Sequence, residues 1–149
     1  IKSRNIFFKN KKNYLKIINV GRLTLQKDQM TLLRAIKILK KKINLKLLIL
    51  GRGIEKKNLQ NYINENDLKS NIKIQNFIEN PYNLINQSDI FILTSKYEGL
   101  PNVLLEAALL KKLIISTNCP TGPKEILSNG KGGILFKVGD YNELVKKVY

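Results

Sequence analysis

The stretch "IFILTSKYEGLPNVLLEAALLKKLIIST", residues 90–117, decides the fold. It opens on an apolar run closed by Thr94 and Ser95, which reads as a buried strand over 90–95. It ends on "LIIST" (113–117), a second run of strand length. Between them, "PNVLLEAALLKK" reads as a helix beginning at Pro101, a residue suited to a first helical turn because it has no N–H to lose. Strand, helix and strand, with both strands apolar up to their closing residues, belong in a parallel sheet covered on both faces.

The same alternation runs along the rest of the chain. "LKIINV" (15–20) reads as a strand ending at Gly21. "KDQMTLLRAIKILKKK" (27–42) carries Met30, Leu33, Ile36 and Leu39 at helical spacing. "LKLLIL" (45–50) is a strand stopping at "GRG", "KKNLQNYINENDL" (56–68) a weaker helix, and "NIKIQNFI" (71–78) a third strand. "PYNLINQSD" (81–89) again places a proline at a helix start. "GPKEILSNG" (122–130) is a short helix closed by Gly130, "GGILFKV" (132–138) a sixth strand, and "DYNELVKKVY" (140–149) a last helix with Asp140 as N-cap. The expected fold is α/β: a Rossmann-like, doubly wound parallel six-stranded sheet with helices on both faces. Residues 1–14 form a basic leading segment, and residues 15–149 the domain. Such sheets bind ligands beyond the C-terminal ends of their strands, at the switch point, so the loops after the strands are where function is sought.

With 43% hydrophobic and 26% charged residues, the 149-residue chain has the composition of a globular domain. Its apolar runs are strand-sized or broken by charge, so no segment is expected to span a bilayer, and no signal-peptide pattern opens it. Cys119 is the single cysteine, which excludes an internal disulfide and fits a reducing, cytoplasmic setting. There is no histidine, so a metal site of ordinary type is not expected, and serine–histidine or cysteine–histidine catalysis is excluded. The net charge of +16 draws in nucleotides, phospholipid headgroups or nucleic acid alike, and also fits a biased Lys, Asn and Ile composition. Charge therefore does not choose a partner.

Three loops could carry chemistry. After the first strand, "VGRLTLQKD" offers Gly21 for a tight turn, with Arg22 and Lys27 flanking a helix start, a combination suited to a diphosphate. A turn glycine beside two surface bases fits the same residues, and Asp28 reads as a helix-start residue. After the second strand, Gly51 and Gly53 form a glycine pair, but Lys56 stands where a third fingerprint glycine would be, so a plain turn is the simpler reading. After the fourth strand come Glu98 and, eight positions later, Glu106. Asn102 and Glu106 share one face of the helix, whose other residues up to Leu110 are apolar all round, which predicts a buried helix. A carboxylate there must be paired, hydrogen-bonded or turned to a polar cleft. Two carboxylates suit the vicinal hydroxyls of a sugar nucleotide, with a solvated loop acid for Glu98 and a core salt bridge for Glu106 as the alternatives. Gly99 permits close backbone approach, and free N–H groups at the helix start suit phosphate.

These residues resemble retaining glycosyltransferases of the GT-B fold, family 4. "NVGRL…KD", "LLILGRG", "NFIENP", "SDIFILTSKYEGLPNVLLEAA", "ISTNCPTGPKEIL" and "GGILFKVGD" stand in that family's order and spacing from about Lys16 onward, and Glu98 with Glu106 matches its E-x(7)-E signature. The resemblance implies that Arg22 and Lys27 hold the donor diphosphate, that Glu98 contacts the transferred sugar and that Glu106 contacts the ribose. It puts Gly21, Gly99, Leu100, Asn102 and Val103 around the donor, and Phe77 and Ile78 beside the base. It implies no cofactor and no metal, the cations taking the metal's part. It further implies that this is the C-terminal, donor-binding half of a GT-B fold, cut before the family's last helices. The partners would then be a nucleotide sugar (UDP favoured over GDP) and an absent N-terminal acceptor domain, with no nucleic acid. By itself the chain is expected to transfer nothing. The whole enzyme would build cell-surface polysaccharide or glycan, cytoplasmic or peripheral on an anionic membrane. The alternatives are a basic α/β module for nucleic acid or membrane, and a GT-B nucleotide-sugar epimerase.

Overall fold

A computed structural model describes residues 7–8, 13–76, 78, 80–98, 102–118 and 133–149, with the backbone alone at 102 and 103. Strands β1 (Leu15–Val20), β2 (Leu45–Leu50), β3 (Ile72–Gln75), β4 (Ile90–Leu93), β5 (Leu113–Thr117) and β6 (Ile134–Phe136) form one sheet. Their order is β3-β2-β1-β4-β5-β6, and every neighbouring pair is parallel. The expected six-stranded, Rossmann-like sheet is thus present. The helices are α1 (Gln29–Leu39), α2 (Lys56–Glu65), α3 (Tyr82–Gln87), α4 (Asn102–Leu109) and α5 (Tyr141–Val148). The short helix expected over 122–130 lies outside the described residues, as does Cys119.

Successive strand residues point to opposite faces, which divides the core into two layers. Ile17, Leu47, Ile49, Ile92 and Ile115 pack with Leu32, Leu33 and Ile36 of α1, Leu59 and Ile63 of α2, and Leu144 of α5. Ile18, Val20, Leu48, Leu50, Phe91, Leu93 and Ile114 face the other way, onto Leu84 and Ile85 of α3 and Leu104 and Ala107 of α4. Phe8, within the leading segment, is buried in this second layer, and the Lys46 ammonium lies 4.9 Å from the centre of the Phe7 ring.

Two helices differ from expectation. Helix α1 starts at Gln29 rather than at residue 27, because Asp28 has φ 47° and ψ 48°, a left-handed conformation that cannot continue a helix. Helix α4 is not buried all round. Leu104 and Ala107 face the sheet, whereas Leu105 and Leu109 are exposed, Leu109 by 77%. A helix at this position covers the sheet with one side only, and an apolar circumference does not create a second layer to bury it.

Helix α5 begins as expected: the Asp140 carboxylate accepts from the Glu143 N–H at 2.9 Å. Asp140→Ala is expected to cost about 1 kcal/mol in denaturant unfolding, and an unchanged midpoint would contradict the cap.

Candidate functional site

The sheet order reverses between β1 and β4, the strands β2 and β5 lying on their far sides. The loops after β1 and β4 therefore leave the sheet side by side, and they are stitched together. The Lys96 N–H donates to the Gln26 carbonyl at 2.8 Å, the Gln26 side-chain amide donates to the Tyr97 carbonyl at 3.0 Å, and the Thr94 hydroxyl donates to the Lys27 carbonyl at 3.0 Å.

At the end of this seam Lys27 and Glu98 meet. The Lys27 ammonium reaches both carboxylate oxygens, Oε1 at 2.8 Å and Oε2 at 2.7 Å. Glu98 is only 8% exposed, so it is not a solvated loop acid. A carboxylate so deeply placed needs a counter-charge and hydrogen bonds, and both are present. The second donor is Ser95, whose hydroxyl gives a hydrogen bond to Oε2 at 2.8 Å. Ser95 is held in turn by β5, because the Thr117 hydroxyl donates to the Ser95 carbonyl at 2.7 Å. An ammonium has three N–H groups, so Lys27 keeps a donor for an anion while bound to Glu98.

Arg22 sits in the β1 loop with an exposed side chain, and its carbonyl accepts from the buried Gln29 side-chain amide at 2.9 Å. Gly21 lies beside the Lys27 stem, where an added Cβ would stand 3.6 Å from Lys27 Cδ. The plain-turn reading of Gly51 and Gly53 gives way to a packing role. A Cβ on Gly51 would overlap the Gly21 carbonyl, and one on Gly53 would overlap the backbone of Leu23. The two loops touch backbone to backbone, with Leu23 N–H bonded to the Arg52 carbonyl at 2.9 Å and Glu55 N–H to the Leu23 carbonyl at 2.9 Å.

Glu106 lies on α4 with Asn102, as the spacing predicts. Its side chain is half-buried and makes no hydrogen bond or ion pair with a described residue. The one ion pair among the described residues is Lys27–Glu98, so the core salt bridge considered for Glu106 is not found there. Ile78 is half-buried against the second core layer. Phe77, Gly99 and Leu100 lie outside the described residues, as do the side chains of Asn102 and Val103.

The structure thus brings together Gly21, Lys27 and Glu98 and adds Ser95, Thr94, Thr117 and Gln26, which the sequence reading did not single out. For Thr94, Ser95 and Thr117 the signal was small polar residues closing otherwise apolar strands, a pattern also produced by an ordinary strand end; Gln26 carried no signal. Chemically the cluster offers a fixed carboxylate for hydroxyl groups beside a cation for an anionic group. Among the described residues no group of three His, Cys, Asp or Glu could hold a metal ion, and no helix is long and apolar enough to cross a membrane.

Comparison with known proteins gives a consistent result. The family model for glycosyl transferases group 1 matches residues 2–149. An uncharacterised glycosyltransferase of Methanocaldococcus jannaschii is 44% identical over 125 residues, covering 83% of this chain and 30% of that protein. The N-acetylgalactosamine-N,N'-diacetylbacillosaminyl-diphospho-undecaprenol 4-alpha-N-acetylgalactosaminyltransferase of Campylobacter jejuni is 33% identical over 128 residues, covering 86% of this chain and 34% of the enzyme. A variant of S. aureus TarM, solved in complex with Fondaparinux, alpha-GlcNAc-glycerol and UDP, superposes with a TM-score of 0.84 at 21% identity, over 93% of this chain and 29% of that one. At that identity the superposition speaks for the fold alone. The chain spans about a third of the length of the curated relatives it matches.

Proposed function

The chain belongs to the glycosyl transferases group 1 family, and from that premise we propose that it is the donor-binding domain of a retaining glycosyltransferase. The donor is a nucleotide-diphosphate sugar, with UDP favoured. The observation that carries the proposal is the Lys27–Glu98–Ser95 cluster at the β1/β4 switch point. Arg22 and Lys27 take the diphosphate, Glu98 the hydroxyls of the transferred sugar, and Glu106 the ribose. As the bond between the anomeric carbon and the diphosphate breaks, negative charge grows on the leaving oxygen, where fixed cations stabilise it without reorganising. In this reading those two cations do the work that a divalent ion does elsewhere, and no cofactor takes part. The acceptor, on a lipid-linked or glycan chain, binds a second Rossmann-like domain of the whole protein, which works on the cytoplasmic face of an anionic membrane. Support for the acceptor class comes from the diphospho-undecaprenol named for the Campylobacter relative.

The test is a calorimetric titration of the chain with UDP, GDP and ADP, repeated with Glu106→Ala. One nucleotide should bind best, and the variant should weaken it about tenfold, the value of a lost charge-assisted hydrogen bond. Equal binding of all three that vanishes in moderate salt, unchanged in the folded variant, would mean that the +16 charge and not a site is being measured.

A further inference from the structure

We propose that Ser95 and Thr117 are positioning residues that aim the Glu98 carboxylate and thereby set how strongly the sugar part of the donor is recognised. The inference rests on the donor-site reading above and goes beyond it, because neither residue touches the donor in that reading.

The geometry is a relay running from β5 inwards to the carboxylate. Strand β4 ends at Leu93, paired with Ser116, while β5 continues to Thr117. Beyond the end of that ladder the Thr117 hydroxyl takes over, donating to the Ser95 carbonyl at 2.7 Å. The Ser95 hydroxyl then donates to Glu98 Oε2 at 2.8 Å. Both Ser95 and Thr117 are fully buried, so water cannot replace either hydroxyl without opening the packing.

Lys27 alone would not define the carboxylate's orientation. Its ammonium sits at the end of a flexible four-carbon stem and binds as a point charge, so its contact fixes direction less than a buried hydroxyl on the backbone side does. The Ser95 contact comes from backbone just beyond β4, itself tied to β5 by Thr117, and pins one of the two oxygens. A hydroxyl of a sugar is recognised by direction as well as by charge, so a carboxylate loosened by a fraction of an ångström loses affinity for sugar and not for diphosphate.

The experiment compares the wild-type chain with Ser95→Ala, Thr117→Val and Thr117→Ser. Each is titrated with UDP and UDP-glucose, or with GDP and GDP-mannose if the guanine nucleotide binds better, and each is unfolded in denaturant. Thr117→Val keeps the volume and removes the hydroxyl, whereas Thr117→Ser keeps the hydroxyl. Ser95→Ala and Thr117→Val should lower the affinity ratio of nucleotide sugar to nucleotide by about three- to tenfold while the nucleotide alone changes less than about twofold. Thr117→Ser should retain the wild-type ratio. An unchanged ratio in Ser95→Ala and Thr117→Val overturns the proposal, and so does a parallel loss of both ligands, which marks a merely structural role. A wild-type chain that binds the sugar nucleotide no better than the nucleotide overturns this inference and leaves the nucleotide site standing. A wild-type chain that binds neither ligand removes the donor reading and this inference with it.

Discussion

Lys27→Met is expected to destabilise the chain by about 3–5 kcal/mol, the usual cost of removing one member of a buried ion pair. The carboxylate left behind is that of Glu98, whose side chain is 5% exposed, against 16% for Lys27. Removing the other partner should cost less. Glu98→Gln keeps an oxygen for Ser95 and for Lys27, and the lysine stem can extend its ammonium to water. About 1–2 kcal/mol is expected for that change, the difference between a charged and a neutral hydrogen-bond acceptor. The double variant should be more stable than Lys27→Met alone, because the buried negative charge that Lys27 balanced is gone. Denaturant unfolding of the three variants gives the order directly. If Glu98→Gln proves the more damaging single change, the pair does not sit as described. The two residues serve the proposed function and the fold by the same contact, so nucleotide binding by each variant has to be read at matched folded fraction.

Gly51→Ala is expected to cost on the order of 3 kcal/mol or more, because its Cβ would fall on a backbone oxygen that no rotamer can move. The overlapped atom is the Gly21 carbonyl, so the variant must displace the β1 loop that carries Arg22 and Lys27. Gly139→Ala is the matching control. Gly139 has φ 76°, but nothing lies within 4 Å of an added Cβ, so its cost is conformational strain of about 1 kcal/mol. A Gly51→Ala variant as stable as Gly139→Ala would mean that the first two loops are not packed backbone to backbone. Retained folding with weakened nucleotide binding would be the informative intermediate, since it would tie the second loop to the site through the first.

The strands and most helices were legible from the chain because each is a local pattern. Apolar runs of four to six residues, punctuated by Gly21, by Gly51 or by Thr94 and Ser95, correspond to β1, β2 and β4, and helical spacing in residues 30–39 corresponds to α1. The same local logic put Asn102 and Glu106 on one helix. Where it erred, the cause was also local. Asp28 stands at the helix start as read, but its left-handed conformation, which Asp tolerates better than most residues, is not reported by helical spacing, and the Leu105 and Leu109 side of α4 is exposed.

The site itself belongs to a different scale. Lys27 and Glu98 are 71 residues apart, and nothing near either one announces the other. Their meeting depends on β1 lying beside β4 rather than only beside β2, a matter of strand order. Thr117 reaches Ser95 because β5 is the next strand, and Gly51 must lack a side chain because a separate loop passes over it. Hydrophobic periodicity and turn chemistry act within a window of about ten residues, and so the secondary elements could be read from residue order. Which loop residues touch, which carboxylate is buried and which glycine is sterically required arise only when those elements stack, because burial and pairing are properties of neighbours in space.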